Sequence, residues 1–262
     1  MPTKIVNGTE LYYEERGSGP ETIVFSHGLL MSGRMFDAQV EALSQRYRCI
    51  CYDHRGQARS AVAKSGYDMD TLTDDAVALI KALDAAPCHF VGLSMGGFVG
   101  MRLAFRHPQL LRSLVLMETS ADPEVNVKPY RRLAFIGRWF GFRAVVTPLM
   151  GILFGHSFLN DPEQEETRQF WKKHLLNLNR RGTARAAHGV IDRDGVYSQL
   201  GSITLRTLVM VGDEDVATVP AKAERIHAAI AGSTLAVIPG AGHSASIEQP
   251  ALVTAALENF FP

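Results

Sequence analysis

His89-Phe90-Val91-Gly92-Leu93-Ser94-Met95-Gly96-Gly97-Phe98-Val99-Gly100 is the stretch on which the fold turns. The apolar run 89–93 predicts a buried strand. From Gly96 to Phe105 the chain reads as an apolar helix that stops before Pro108. Between them, Gly92-Leu93-Ser94-Met95-Gly96 matches Gly-x-Ser-x-Gly. Strand, sharp turn and helix around that pentapeptide would hold a serine outward on a strained backbone. Gly92 and Gly96 lack side chains, so strand and helix can approach each other. The helix N-terminus then aims its dipole and free N–H groups at the serine, where an oxyanion could form.

A serine hydroxyl is a weak nucleophile near neutral pH and needs a base beside it. Of nine histidines, His243 is the best placed. It ends the loop Pro239-Gly240-Ala241-Gly242-His243, after an apolar run 234–238 and before the last helical pattern. The imidazole in turn needs a carboxylate to set its tautomer and stabilise its charged form. Val211-Gly212-Asp213-Glu214-Asp215 closes the run from Thr207 and supplies candidates. Asp215 is chosen because it leads into the following helix. Asp213 and Glu118 are its rivals. Phe25-Ser26-His27-Gly28-Leu29-Leu30 ends an early strand, and the backbone N–H groups of Leu29 and Met95 are assigned to the oxyanion hole. His27 is expected to brace that loop by hydrogen bonding.

Farther out, short apolar or β-branched runs (22–26, 48–52, 113–117, 207–211, 234–238) alternate with helical stripes such as Phe36/Val40/Leu43, Leu72/Ala76/Leu79/Leu83 and Leu252/Ala256/Phe260. Ile5-Val6 and Leu11-Tyr12-Tyr13 flank Asn7-Gly8 and predict a hairpin. The alternation predicts an α/β fold with a mostly parallel sheet covered on both faces, and a ligand site at the carboxyl edge of the strands. It breaks from about Ala121 to Gly201, where large apolar residues crowd an irregular helical pattern. Residues 1–121 and 200–262 are therefore expected to form one core, with 122–199 inserted as a helical cap.

The 262 residues carry 27 Lys and Arg against 27 Asp and Glu, so neither a basic face nor nucleic-acid binding is expected. The apolar region 133–154 is broken by Arg138, Arg143, Pro148 and glycines. It falls short of the roughly 20 residues a membrane helix needs, so no membrane partner is expected. Three cysteines, Cys49, Cys51 and Cys88, with no signal-peptide pattern at the N-terminus, suggest a reduced cytoplasmic protein. Monomer and homodimer are both open. Asp53-His54 has no second histidine at ligand spacing, and neither metal nor cofactor is expected.

Taken together, His27-Gly28, Asp53-His54-Arg55-Gly56-Gln57-Ala58-Arg59-Ser60, Gly92 to Gly97, Gly212 to Pro220 and Gly242-His243 resemble, in order and spacing, the α/β-hydrolase superfamily. The likeness is strongest to small bacterial carboxylesterases and 3-oxoadipate enol-lactonase-like enzymes. Ala58 stands where the family motif usually has its second glycine. The resemblance implies an eight-stranded sheet with its second strand antiparallel, a cap, and cofactor-free hydrolysis of a small-molecule ester or lactone. Lactonase, cofactor-free perhydrolase and carbon–carbon bond hydrolase are rivals on the same triad, and a non-catalytic binding protein is the rival from another class. Leu30, Trp139, Phe142 and Phe154 are expected to wall an apolar substrate pocket.

Overall fold

The computed structural model describes residues 2–262. Eight strands form one sheet: β1 (Thr3–Val6), β2 (Thr9–Arg16), β3 (Thr22–Ser26), β4 (Arg48–Tyr52), β5 (Cys88–Leu93), β6 (Leu111–Met117), β7 (Arg206–Gly212) and β8 (Thr234–Ile238). Their order across the sheet is β1-β2-β4-β3-β5-β6-β7-β8. β2 runs antiparallel to both its neighbours, and every other pairing is parallel. The hairpin β1–β2 turns on Asn7 and Gly8, with φ of 45° and 72°. These positive angles fit a primed two-residue turn, which matches the twist of the strands.

The helices are α1 (Asp37–Leu43), α2 (Met69–Ala82), α3 (Met95–Arg106), α4 (Val127–Phe140), α5 (Val146–Leu153), α6 (His156–Asn160), α7 (Glu165–Leu176), α8 (Arg180–Ile191), α9 (Pro220–Ala229), α10 (Ala245–Glu248) and α11 (Pro250–Phe260). The sheet separates two apolar layers. Phe25, Val40, Leu43, Val253 and Leu257 belong to the side of α1 and α11. Val24, Leu72, Leu79, Phe90, Leu103 and Ile226 belong to the side of α2, α3 and α9. Burying one such Leu or Phe stabilises the fold by about 1.5–3 kcal/mol. Period-two alternation sends Cys49 and Cys51 into one layer and Ile50 and Tyr52 into the other. All three cysteines are free and buried.

One expected stripe is out of phase. Leu252 is 43% exposed, and α11 instead buries Val253, Leu257 and Phe260. Val253, Leu257 and Phe260 stand at i, i+4 and i+7 on one face, and α11 packs against α1.

Helices α4 to α8 all lie between β6 and β7 in the chain. The two ends of this stretch are tied together by Val196 N–H donating to Ala121 O at 2.7 Å. Among the described residues no helix is long and apolar enough to cross a membrane. The parallel strands bring the turns after β3, β4, β5, β6, β7 and β8 to one edge of the sheet.

Candidate active site

Ser94 sits between β5 and α3 at φ 53° and ψ −110°. A non-glycine residue there costs of order 1–3 kcal/mol, so its surroundings must hold it. Ser94 N donates to Met117 O at 2.9 Å, and Thr119 Oγ1 donates to Ser94 O at 2.9 Å. The neighbouring glycines are sterically required. A Cβ on Gly92 would lie 2.2 Å from Gly96 O, and one on Gly96 would lie 1.9 Å from Ser26 O.

Ser94 Oγ and His243 Nε2 are 2.8 Å apart, and His243 Nδ1 is 2.8 Å from Asp215 Oδ2. All three residues are buried. Asp215 Oδ1 accepts from Ala217 N at 2.8 Å and Thr218 N at 2.9 Å, and Oδ2 also accepts from Thr218 Oγ1 at 2.8 Å. Burial alone would raise the Asp215 carboxyl, but the His243 ring and the Thr218 donors more than offset it. The carboxyl is held below the usual carboxylate range.

The rival acids lie elsewhere. Asp213 Oδ1 accepts from Gly240 N at 2.7 Å and serves the loop after β8. Glu118 is wholly buried at φ 41°, with both carboxyl oxygens unpartnered. Burial, then the nearby Asp215 and Glu248, push its carboxyl well above the usual range. Neither of its oxygens hydrogen-bonds the imidazole, whose Nδ1 is 2.8 Å from Asp215 Oδ2.

The turn Gly28–Met31 is closed by Met31 N donating to Gly28 O at 3.2 Å, with Leu30 at φ 71°. Leu29 N–H and Met95 N–H donate to no acceptor among the described residues. His27 fixes this turn from behind. Its Nδ1 pairs with Gly28 O at 2.7 Å, and its Nε2 accepts from His54 N at 2.9 Å, which sets a neutral tautomer. Burial depresses the basicity of both His27 and His54. Gln57 spans the two sides of the site: Oε1 accepts from Leu30 N at 2.9 Å, and Nε2 reaches Met95 Sδ at 3.6 Å. Ala58 keeps a left-handed φ of 44° where the family motif has glycine, so the turn is retained. Asp53 caps this loop, accepting from Gly33 N at 2.9 Å and Arg59 Nε at 2.9 Å.

A cavity of about 120 Å³ opens beside Ser94 and His243. Leu30 and Phe142 line it, with Leu29, Phe98, Leu133 and Val190 among others. Two expected wall residues are corrected. Trp139 is 61% exposed and outside the cavity. It follows Tyr130 by nine residues, two and a half turns at ~3.6 residues per turn, so it leaves the helix on the opposite face. Phe154 ends α5 in extended backbone and stacks on Phe158 at 4.9 Å, packing inside the core rather than on the wall. On the cavity wall Arg193 Nη1 lies 3.1 Å from Glu124 Oε2, with its guanidinium 4.2 Å from the centre of the Phe98 ring.

The description "alpha/beta hydrolase fold" matches residues 21–250. The chain belongs to the α/β-hydrolase family. A Serratia proteamaculans protein provisionally named carbamate hydrolase RutD is 30% identical to this hydrolase, over 90% of each chain. An esterase structure from Thermogutta terrifontis superposes with a TM-score of 0.92 at 29% identity, covering 99% of this chain and 98% of the other. The enol-lactonase structure from Burkholderia xenovorans LB400 gives 0.91 at 29% identity, covering 99% of both.

Some residues around the hydrolase site had no signal in the sequence. Glu248 is buried, and its carboxylate turns back onto the loop of His243, accepting from Gly242 N and Ser244 N, each at 2.9 Å. Glu214 accepts from Ser157 N at 2.8 Å. Only the spacing of Glu248, five residues after His243, could have drawn notice to it.

Proposed function

We propose that the protein is a carboxylic ester hydrolase working through an acyl-enzyme, with Ser94 as nucleophile, His243 as base and Asp215 as the orienting acid. Ser94 Oγ attacks the ester carbonyl while His243 Nε2 takes its proton. The tetrahedral oxyanion is held by Leu29 N–H and Met95 N–H. His243 returns the proton to the departing alkoxide, leaving Ser94 acylated. Water, deprotonated by the same imidazole, then releases the acid and restores the serine. The carrying observation is the hydrogen-bonded series Ser94–His243–Asp215 at the wall of an apolar cavity. Residues 122–199 act as a cap over the core 1–121 and 200–262, since α4, α5 and α8 supply much of that wall. The internally paired Arg193 and Glu124 leave no free charge there, which favours small to medium uncharged esters over anionic ones. Reduced, buried cysteines fit a cytoplasmic setting.

The test is a rate panel over aryl esters, lactones, a dienoate ketone, and acetate with peroxide, run on the wild type and on Ser94→Ala. Ester turnover that vanishes in the variant supports the proposal. Ester turnover that survives Ser94→Ala, or turnover confined to another substrate class, refutes it.

A further inference from the structure

The neutral total charge hides a strong asymmetry. Residues 125–191 carry eleven Lys and Arg against four Asp and Glu, a net of +7, so the remainder carries −7. From Val125 to Asn160 there is no acidic residue at all, while Lys128, Arg131, Arg132, Arg138 and Arg143 are basic. The expectation of no basic face is thereby corrected: whole-chain composition averages two opposed regions.

Helix α4 concentrates this charge around exposed aromatics. Its inner face places Tyr130, Leu133 and Ala134 on the cavity beside Ser94. Its outer face leaves Phe135 58% and Trp139 61% exposed, and Phe140, the last residue of the helix, is 70% exposed. Phe135 and Trp139 lie 6.5 Å apart, and the Arg138 guanidinium sits 4.9 Å from the Trp139 ring centre. Of the α4 cations, Arg131 has an acidic partner, Asp192 at 2.6 Å. Large aromatics held in water by a helix ringed with cations match the pattern of a helix lying in a lipid interface. There the rings enter the acyl boundary and the long cationic side chains reach the headgroups.

We propose that the outer face of α4 docks on an anionic lipid surface. Charge complementarity selects this occupant. A second copy of the chain, paired about a two-fold axis, would set one basic face against another. A zwitterionic surface would leave the cations without counter-charge.

The full-length protein is sedimented with phosphatidylcholine vesicles and with vesicles of phosphatidylcholine and phosphatidylglycerol, at low and high salt. Binding is expected only to the anionic vesicles, weakening with salt. Of the two tryptophans, Trp171 is buried, so a blue shift in emission on binding reports Trp139. Phe135→Ser with Trp139→Ser, and separately Arg131→Gln with Arg132→Gln, should each lower binding roughly tenfold. Both pairs lie outside the cavity, so circular dichroism and hydrolysis of a soluble ester serve as controls for folding. Absent or charge-independent vesicle binding overturns the proposal. So does a dimer in solution that the aromatic variant dissociates, or binding to heparin or duplex DNA that displaces the vesicles without needing the aromatic side chains.

Discussion

Glu248 Oε2 accepts a hydrogen bond at 2.7 Å from the backbone N–H of Gly155, ninety-three residues earlier in the chain. The same oxygen accepts from Gly242 N, and the other from Ser244 N, so one carboxylate grips both sides of His243 and the turn that precedes α6. That turn is also held to the neighbour of Asp215, because Glu214 accepts from Ser157 N. The loops carrying His243 and Asp215 are therefore joined to the helices that wall the cavity.

Glu248→Gln keeps the shape of the side chain but replaces one acceptor oxygen with a donor, so at least one of the three amides loses its partner. We expect kcat to fall by about 10- to 100-fold with KM within a few-fold, since a small displacement of the imidazole weakens proton transfer more than binding. Steady-state kinetics check this. An unchanged kcat with only a lower Tm would reduce Glu248 to packing.

Asp215→Asn should lower kcat/KM by roughly 10³- to 10⁴-fold, as the neutral amide cannot hold or compensate the imidazolium. Asp213→Asn and Glu118→Gln should stay within a few-fold of wild type, because neither carboxyl touches His243. Parallel assays of the three variants decide it. A collapse confined to Asp213→Asn would move the acid to that position.

Stability should have two pH limbs. The Glu118 carboxyl is raised by burial, so the folded chain holds that proton more tightly than the unfolded chain. Its contribution is full below an unfolded value of about 4.3 and is lost as pH rises through the higher folded value. His27 and His54 act in the opposite direction. Burial depresses both, and stability is lost as pH falls below about 6.5. Glu118→Gln should therefore gain in Tm over wild type as pH rises from about 5 to about 9. Differential scanning fluorimetry across that range checks the sign, and a gap that is constant with pH would contradict it.

Two glycines should respond in opposite ways to alanine. A Cβ on Gly242 would lie 2.2 Å from Gly155 N, so Gly242→Ala must push the two loops apart. We expect a loss of about 1–3 kcal/mol and a large fall in activity. Gly151, within α5, meets nothing within 4 Å, and Gly151→Ala should stabilise by about 0.5–1 kcal/mol. Denaturant unfolding of both variants tests the pair.

By itself the sequence determined the local elements. The runs 22–26, 48–52 and 234–238 coincide with β3, β4 and β8, and Asn7-Gly8 marks the hairpin. Turn chemistry and side-chain periodicity act over a few residues, and so can be read from the chain. The glycines around Ser94 are legible for the same reason: two backbones in contact leave no room for a Cβ. Tertiary structure alone decided which of the Asp213, Asp215 and Glu118 carboxyls meets His243, and that Glu248 reaches across to Gly155. It also decided that Trp139 faces solvent and Phe154 the core. Each of these depends on the direction in which a side chain leaves its element relative to a distant segment. That relation is set by how α4 to α8 pack on the sheet edge, and no window of sequence contains both partners.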